Sequence, residues 1–244
     1  MPRHAQRGRR RAPRKKSSGR SATSIVAGGV GELMLTAGAV VLLFVVYTLW
    51  GTGLQTARAQ NDLAQDTQNW GHEEQSADGQ QPETEDIELG EAYAIIKIPR
   101  FGDDWGGDDG YVVVQGTEED DLKNGPGHYT DSVDPGELGN FAVAAHRSGH
   151  GWVFEDFPEL RVGDRIEIIS PNGTFIYELD DAPSGDPDGN KINIDDTWVV
   201  DPVPGEGPDV EPTDRRITLT TCWPRIGSSH RMYATGTLIE GPEL

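Results

Sequence analysis

The sequence is poor in three things, and each shortage excludes something. Cys222 is the single cysteine in 244 residues. An internal disulfide is therefore impossible, and a structural zinc site built on several thiolates is excluded. Basic residues are scarce past the N-terminus. Of 21 Lys and Arg, nine fall within residues 1–24, leaving twelve against forty of the 41 acids beyond residue 51, a net charge there near -28. Such a body repels phosphate backbones, so nucleic acid is not an expected partner. Apolar residues make up only 35% of the chain and aromatics 7%. Much of that deficit sits in one acidic, Gln-rich stretch, so the remainder still suffices for one core.

Four segments follow in order. Residues 1–24 form a basic tail without acids. Residues 25–51 are almost wholly apolar, with Glu32 the one charge and eighteen uncharged residues from Leu33 to Trp50. About 20 residues cross a bilayer core as a helix, so a single transmembrane helix is expected here. Tyr47 and Trp50 suit its outer interface, and the basic tail places the N-terminus in the cytoplasm. A cleaved signal peptide is the competing reading, but its apolar region is shorter, about 7–15 residues. Residues 52–91 are polar and acidic and read as a flexible or partly helical stalk; His72 within it has no ligand partner at metal spacing.

From residue 92 the texture becomes β-rich, with short apolar runs separated by Gly, Pro and Asp turns. Strands are expected at 92–98, 111–115, 140–146, 165–170, 174–179, 198–200 with a lead-in at 191–194, 216–222 and 232–239. Pro171-Asn172-Gly173 reads as a hairpin, and 117–123 and 155–160 as short helical turns. No βαβ rhythm appears, so residues 92–244 are expected to form one all-β domain, an antiparallel or mixed barrel. The stretch 181–214 reads as one long loop around the short strand.

Cys222 ends the alternating strand Ile217–Cys222, with Trp223-Pro224 terminating it. A buried core thiol is the ordinary fate of such a residue. A thiol nucleophile, by contrast, needs a group that manages protons. His146 ends the apolar run 141–145, whereas His128 and His150 lie in Gly-rich loops and His230 precedes Arg231. A cation beside the sulfur favours thiolate and can hold an oxyanion. Arg231 follows Cys222 by nine residues and opens the next strand. Arg225 is nearer in sequence but lies in the intervening loop.

Thr218-Leu219-Thr220-Thr221-Cys222, with an Arg nine residues on and an earlier strand ending in His, resembles the sortases, which carry TLxTC, a catalytic His and a catalytic Arg in that order. AIIKIPRFG (94–102), GPGHY (125–129), PGELGNFAVAAHRSGHG (135–151), LRVGDRI (160–166) and TLTTCWP (218–224) are similar to actinobacterial class E members. AAHR stands where many have AGHR. The resemblance implies an eight-stranded sortase-type β-barrel with Cys222, His146 and Arg231 catalytic. It implies cleavage of an LPxTG-like or LAxTG-like signal on secreted proteins through a Cys thioester, then transfer to an amine of lipid II or other peptidoglycan. Thr221 and Tyr129 are its candidate substrate contacts. Neither cofactor nor metal is expected. The implied location is the plasma membrane, single-pass through 25–51, with the catalytic domain outside. Rival readings are a pilin-polymerising sortase, which commonly carries a lid and a second hydrophobic helix, a hydrolytic cysteine peptidase, and a non-catalytic cell-wall-binding barrel.

Overall fold

A computed structural model describes residues 22–68, 70, 87–107, 109–207 and 209–242. The chain divides into two units, 1–45 and 46–244. In the first, α1 (Ala22–Val46) runs through the apolar segment. Its window Gly29–Val46 is long and apolar enough to cross a membrane, with mean hydropathy 2.2 and no buried residue. Apolar side chains from Leu33 to Phe44 are exposed all round, as befits a helix solvated by lipid. The basic tail 1–21 lies outside the described residues.

In the second unit a π-helical turn, Tyr47–Gly51, leads into α2 (Thr52–Asp66). The segment 52–91, expected as a stalk, is thus helical over its first part and packed on the domain that follows. Residues 71–86, including His72, lie outside the described residues. Three polar side chains at helical spacing of four, Thr52, Thr56 and Gln60, share one face of α2. Thr56 Oγ1 donates to the Lys123 carbonyl at 2.7 Å. Gln60 Nε2 donates to the carbonyls of Val112 and Asn124, both at 2.9 Å, and its Oε1 accepts the Val112 N–H at 2.7 Å. Leu63 and Ala64 extend this contact against Ala92, Ile95 and Val112.

The strands are β1 (Ala92–Lys97), β2 (Tyr111–Gln115), β3 (Gly127–His128), β4 (Gly139–Ala144), β5 (Arg165–Ser170), β6 (Gly173–Asp181), β7 (Lys191–Asn193), β8 (Arg215–Trp223) and β9 (His230–Glu240). Pairing runs β5-β1-β2-β3-β4-β8-β9, and β6 pairs with both β9 and β5, closing eight strands into a barrel. The ninth, β7, lies outside the ring, on β9 beside His230–Met232. Pairs β2–β3 and β4–β8 are parallel and the rest antiparallel, so the barrel is mixed. The β5–β6 hairpin turns at Pro171-Asn172, with Ser170 opposite Gly173; Gly173 has φ 126°, which a side chain disfavours.

Alternation along the strands builds the core. Phe141, Val143 and Ala145 from β4 and its end, Ile217 and Leu219 from β8, and Met232 and Ala234 from β9 point inward and are buried. Two expectations need correction. Trp198–Val200 is a 3-10 turn, not a strand; Asn140 Nδ2 donates to the carbonyls of Val199 and Asp201, turning the segment over β4. The two-residue strand β3 stands where a loop was read. The expected helical turns are present as α3 (Glu119–Leu122), with a reciprocal Glu118–Asp121 cap, and the 3-10 turn Phe157–Glu159.

Candidate active site

Because odd residues of β4 and β8 and even residues of β9 face inward, Ala144, Thr220, Cys222 and Arg231 face outward. Cys222 and Arg231 are direct cross-strand partners; such pairs hold their Cβ atoms about 5 Å apart. Ala144 is level with Thr220 in the parallel β4–β8 pair. The Ala145 N–H donates to the Thr220 carbonyl at 3.1 Å, carrying the pairing one residue further. His146 lies two residues past Ala144, at the end of the strand that borders β8 on the side opposite β9. The fold thus pairs Cys222 with Arg231 directly and carries His146 at the end of the neighbouring strand.

Cys222 is half-buried, so its sulfur is not sealed in the core. His146 is also half-buried, and its Nε2 is buried with no protein hydrogen-bond partner. Burial, and next the neighbouring His150, hold its imidazole below the ordinary histidine range. The Phe154 N–H donates to the His146 carbonyl at 3.0 Å, fixing its backbone. Among the described residues no carboxylate pairs with Arg231. Its charge is thus not internally neutralised, in a body otherwise rich in acids.

The two further candidates part company. Tyr129 is half-buried and shares a hydrogen bond with Thr220 Oγ1 at 3.0 Å, which sets it on the outer face two residues from Cys222. Thr221 was expected to touch substrate. It is instead 1% exposed, and its hydroxyl donates to the Ala145 carbonyl at 2.8 Å. Alternation turns it inward, where it braces the site from beneath.

The loops around the site are tied together. Ser148 Oγ donates to the Arg225 carbonyl at 2.6 Å, and Arg225 pairs with Glu155 and stacks 4.4 Å over Trp152. Trp223 Nε1 donates to the Pro187 carbonyl at 2.9 Å, under Lys191 Nζ at 3.7 Å. Arg147 Nη1 reaches Met232 Sδ at 3.3 Å. These contacts join segments far apart in sequence, so residue pattern gave no sign of them. Among the described residues no three His, Cys, Asp or Glu side chains converge to hold a metal. A cavity of about 1190 Å³ lies between α2 and the outer wall of β1, β2 and β5, and none of Cys222, His146 and Arg231 lines it.

Residues 96–239 match the family model described as the Sortase domain. The chain belongs to the sortase family. Sortase SrtE2 of Streptomyces coelicolor is 32% identical over 241 residues, covering 96% of this chain and 87% of that protein. Sortase SrtE1 of the same organism is 29% identical, covering 95% of this chain and 62% of that protein. The solved structure of sortase E from Streptomyces avermitilis superposes with a TM-score of 0.54 at 36% identity, covering 64% of this chain and 93% of that one. Sortases are cysteine transpeptidases with a closed eight-stranded barrel, and this chain is a sortase transpeptidase.

Proposed function

We propose that Cys222, His146 and Arg231 carry out acyl transfer from a C-terminal sorting signal to a cell-wall amine. The observation that carries this reading is the cross-strand pairing of Cys222 with Arg231, with His146 two residues past the end of β4, the strand that pairs with β8 on its other side. The Cys222 thiolate attacks the Thr carbonyl of an LAxTG-like or LPxTG-like signal. The carbonyl π pair moves onto oxygen, and the Arg231 guanidinium stabilises that oxyanion. As the tetrahedral centre collapses, His146 delivers its proton to the departing Gly nitrogen and the C–N bond breaks, leaving a thioester. An amine of lipid II or another peptidoglycan precursor then attacks. His146 accepts its proton, the C–S bond breaks, and thiolate is restored. Tyr129, beside Thr220, lines the groove that receives the signal.

In this reading α1 anchors the enzyme in the plasma membrane, with residues 1–24 cytoplasmic and the barrel outside. Secreted proteins held by a hydrophobic tail and a lipid-linked acceptor both sit at that surface, so anchoring raises their effective concentrations. The test uses the full chain in detergent with LAxTG and LPxTG peptides and candidate amines, read by mass spectrometry. A ligated peptide–amine product supports transpeptidation; free Thr carboxylate as the only product, whatever the amine, contradicts it.

A further inference from the structure

The His146 ring does not stand alone. The His150 ring stacks on it, with centroids 4.9 Å apart and planes inclined by 29°. Each ring carries one buried nitrogen with no protein hydrogen-bond partner, Nε2 of His146 and Nδ1 of His150. Buried polar atoms left unpaired are destabilising, and in folded proteins they call for a reason beyond packing.

The segment that presents His150 is strained. His150 has φ 42° and Trp152 φ 56°, left-handed values that residues with a side chain seldom adopt. Four contacts hold it in that shape. The His150 N–H donates to Thr52 Oγ1 of α2 at 3.3 Å. Gly151, at φ 78°, lies so close to α2 that an added Cβ would meet Thr56 Cγ2 at 3.0 Å. Beyond it, Arg225 covers the Trp152 ring and Phe154 bonds back to His146. The loop following His146 is thus pressed back against that residue, and α2 supplies the pressure.

We propose that His150 is a positioning residue for acyl transfer: its ring forms the wall that fixes the His146 imidazole beside Cys222, and Thr52 and Thr56 of α2 hold that wall in place. The inference rests on the catalytic roles assigned above. It makes α2 part of the catalytic apparatus as well as a link to the anchor. It also gives His150 an electrostatic consequence. Two stacked imidazoles resist being cationic together, so a positive charge on one disfavours a proton on the other. The charged groups that act on the pair are Glu119 and Lys123, from α3 and its end. Glu119 favours protonation of both rings, Lys123 opposes it at His150, and His150 opposes it at His146. His150 exchanges no proton in the cycle. It makes the His146 imidazolium a more willing donor to the leaving amine.

The test compares full-chain wild type with His150→Ala, His150→Phe and Thr52→Val in detergent, using an LAxTG peptide and an amine acceptor, with near-UV circular dichroism to verify folding. His150→Ala removes the wall, and kcat falls about tenfold or more, with the KM for peptide changed less than threefold; small misplacements of a catalytic group cost on this order. His150→Phe restores the wall without its charge. It recovers most of kcat, and the pH limb reporting His146 moves to higher pH. Thr52→Val lowers kcat with the pH limb unmoved. The proposal is overturned if folded His150→Ala keeps kcat within twofold of wild type, or if folded His150→Phe is as slow as His150→Ala with an unshifted pH profile. Wild type forming no ligated product would instead sink the underlying function, so the two failures are distinguishable.

Discussion

The Thr221 hydroxyl donates to the Ala145 carbonyl at 2.8 Å, joining the residue before Cys222 to the residue before His146. Both lie on the inner side of the wall whose outer side carries the site. The bond locks two parallel strands at the level where sulfur and imidazole must stay aligned. Thr221→Val keeps the shape but leaves the Ala145 carbonyl buried and unpaired, a loss of about 1–3 kcal/mol. The expected outcome is a lower denaturation midpoint together with a reduced kcat, both recovered in Thr221→Ser. Denaturant titration and steady-state transpeptidation check it.

Arg231 is the cation opposite the sulfur, and no described carboxylate neutralises it. Loss of one oxyanion donor typically lowers kcat by about 10²–10³. Arg231→Ala is expected to fall in that range with KM altered far less. Arg231→Lys is expected to recover little, because an ammonium does not reproduce the planar fork of donors. Initial-rate kinetics over a range of peptide concentrations separates the two parameters.

His128, in GPGHY, serves the core. Its ring is 1% exposed, stacks on Tyr93 at 4.1 Å, and is bonded by Gln115 Oε1 at 2.7 Å and Ser132 Oγ at 2.8 Å. Burial lowers its pKa from 6.5 to about 4. The neutral form is therefore the folded one. Its contribution is fully present above the unfolded value near 6.5 and is lost as pH falls toward the folded value. Between pH 7 and pH 5 the loss is about 2 kcal/mol. Urea unfolding at the two pH values should show that decrease in wild type and a smaller one in His128→Gln.

The barrel was largely legible because alternation and turn residues are local signals. Phe141–Ala145 and Ile217–Cys222 alternate inward and outward as written, and the order Cys then Arg across a short loop already implied a cross-strand pair. What escaped the sequence was held by distant partners. Thr52, Thr56 and Gln60 look like residues of a solvated stalk, yet they bond backbone groups some 50 to 100 residues away. Nothing in the RSGHG stretch announces that His150 folds back onto His146; the return depends on α2 and on the strain it holds. Thr221 was misjudged for a related reason. Its place next to Cys222 suggested contact with substrate, whereas strand alternation turns it to the other face.

The most direct measurement is the intact mass of the full chain mixed with an LAxTG or LPxTG peptide without amine and quenched in acid. The account predicts an adduct equal to the peptide's portion through Thr, mapped to Cys222, which disappears on adding amine as the ligated product forms. Peptide cleavage that persists in Cys222→Ala, or cleavage in wild type whose adduct maps to another residue, would contradict it.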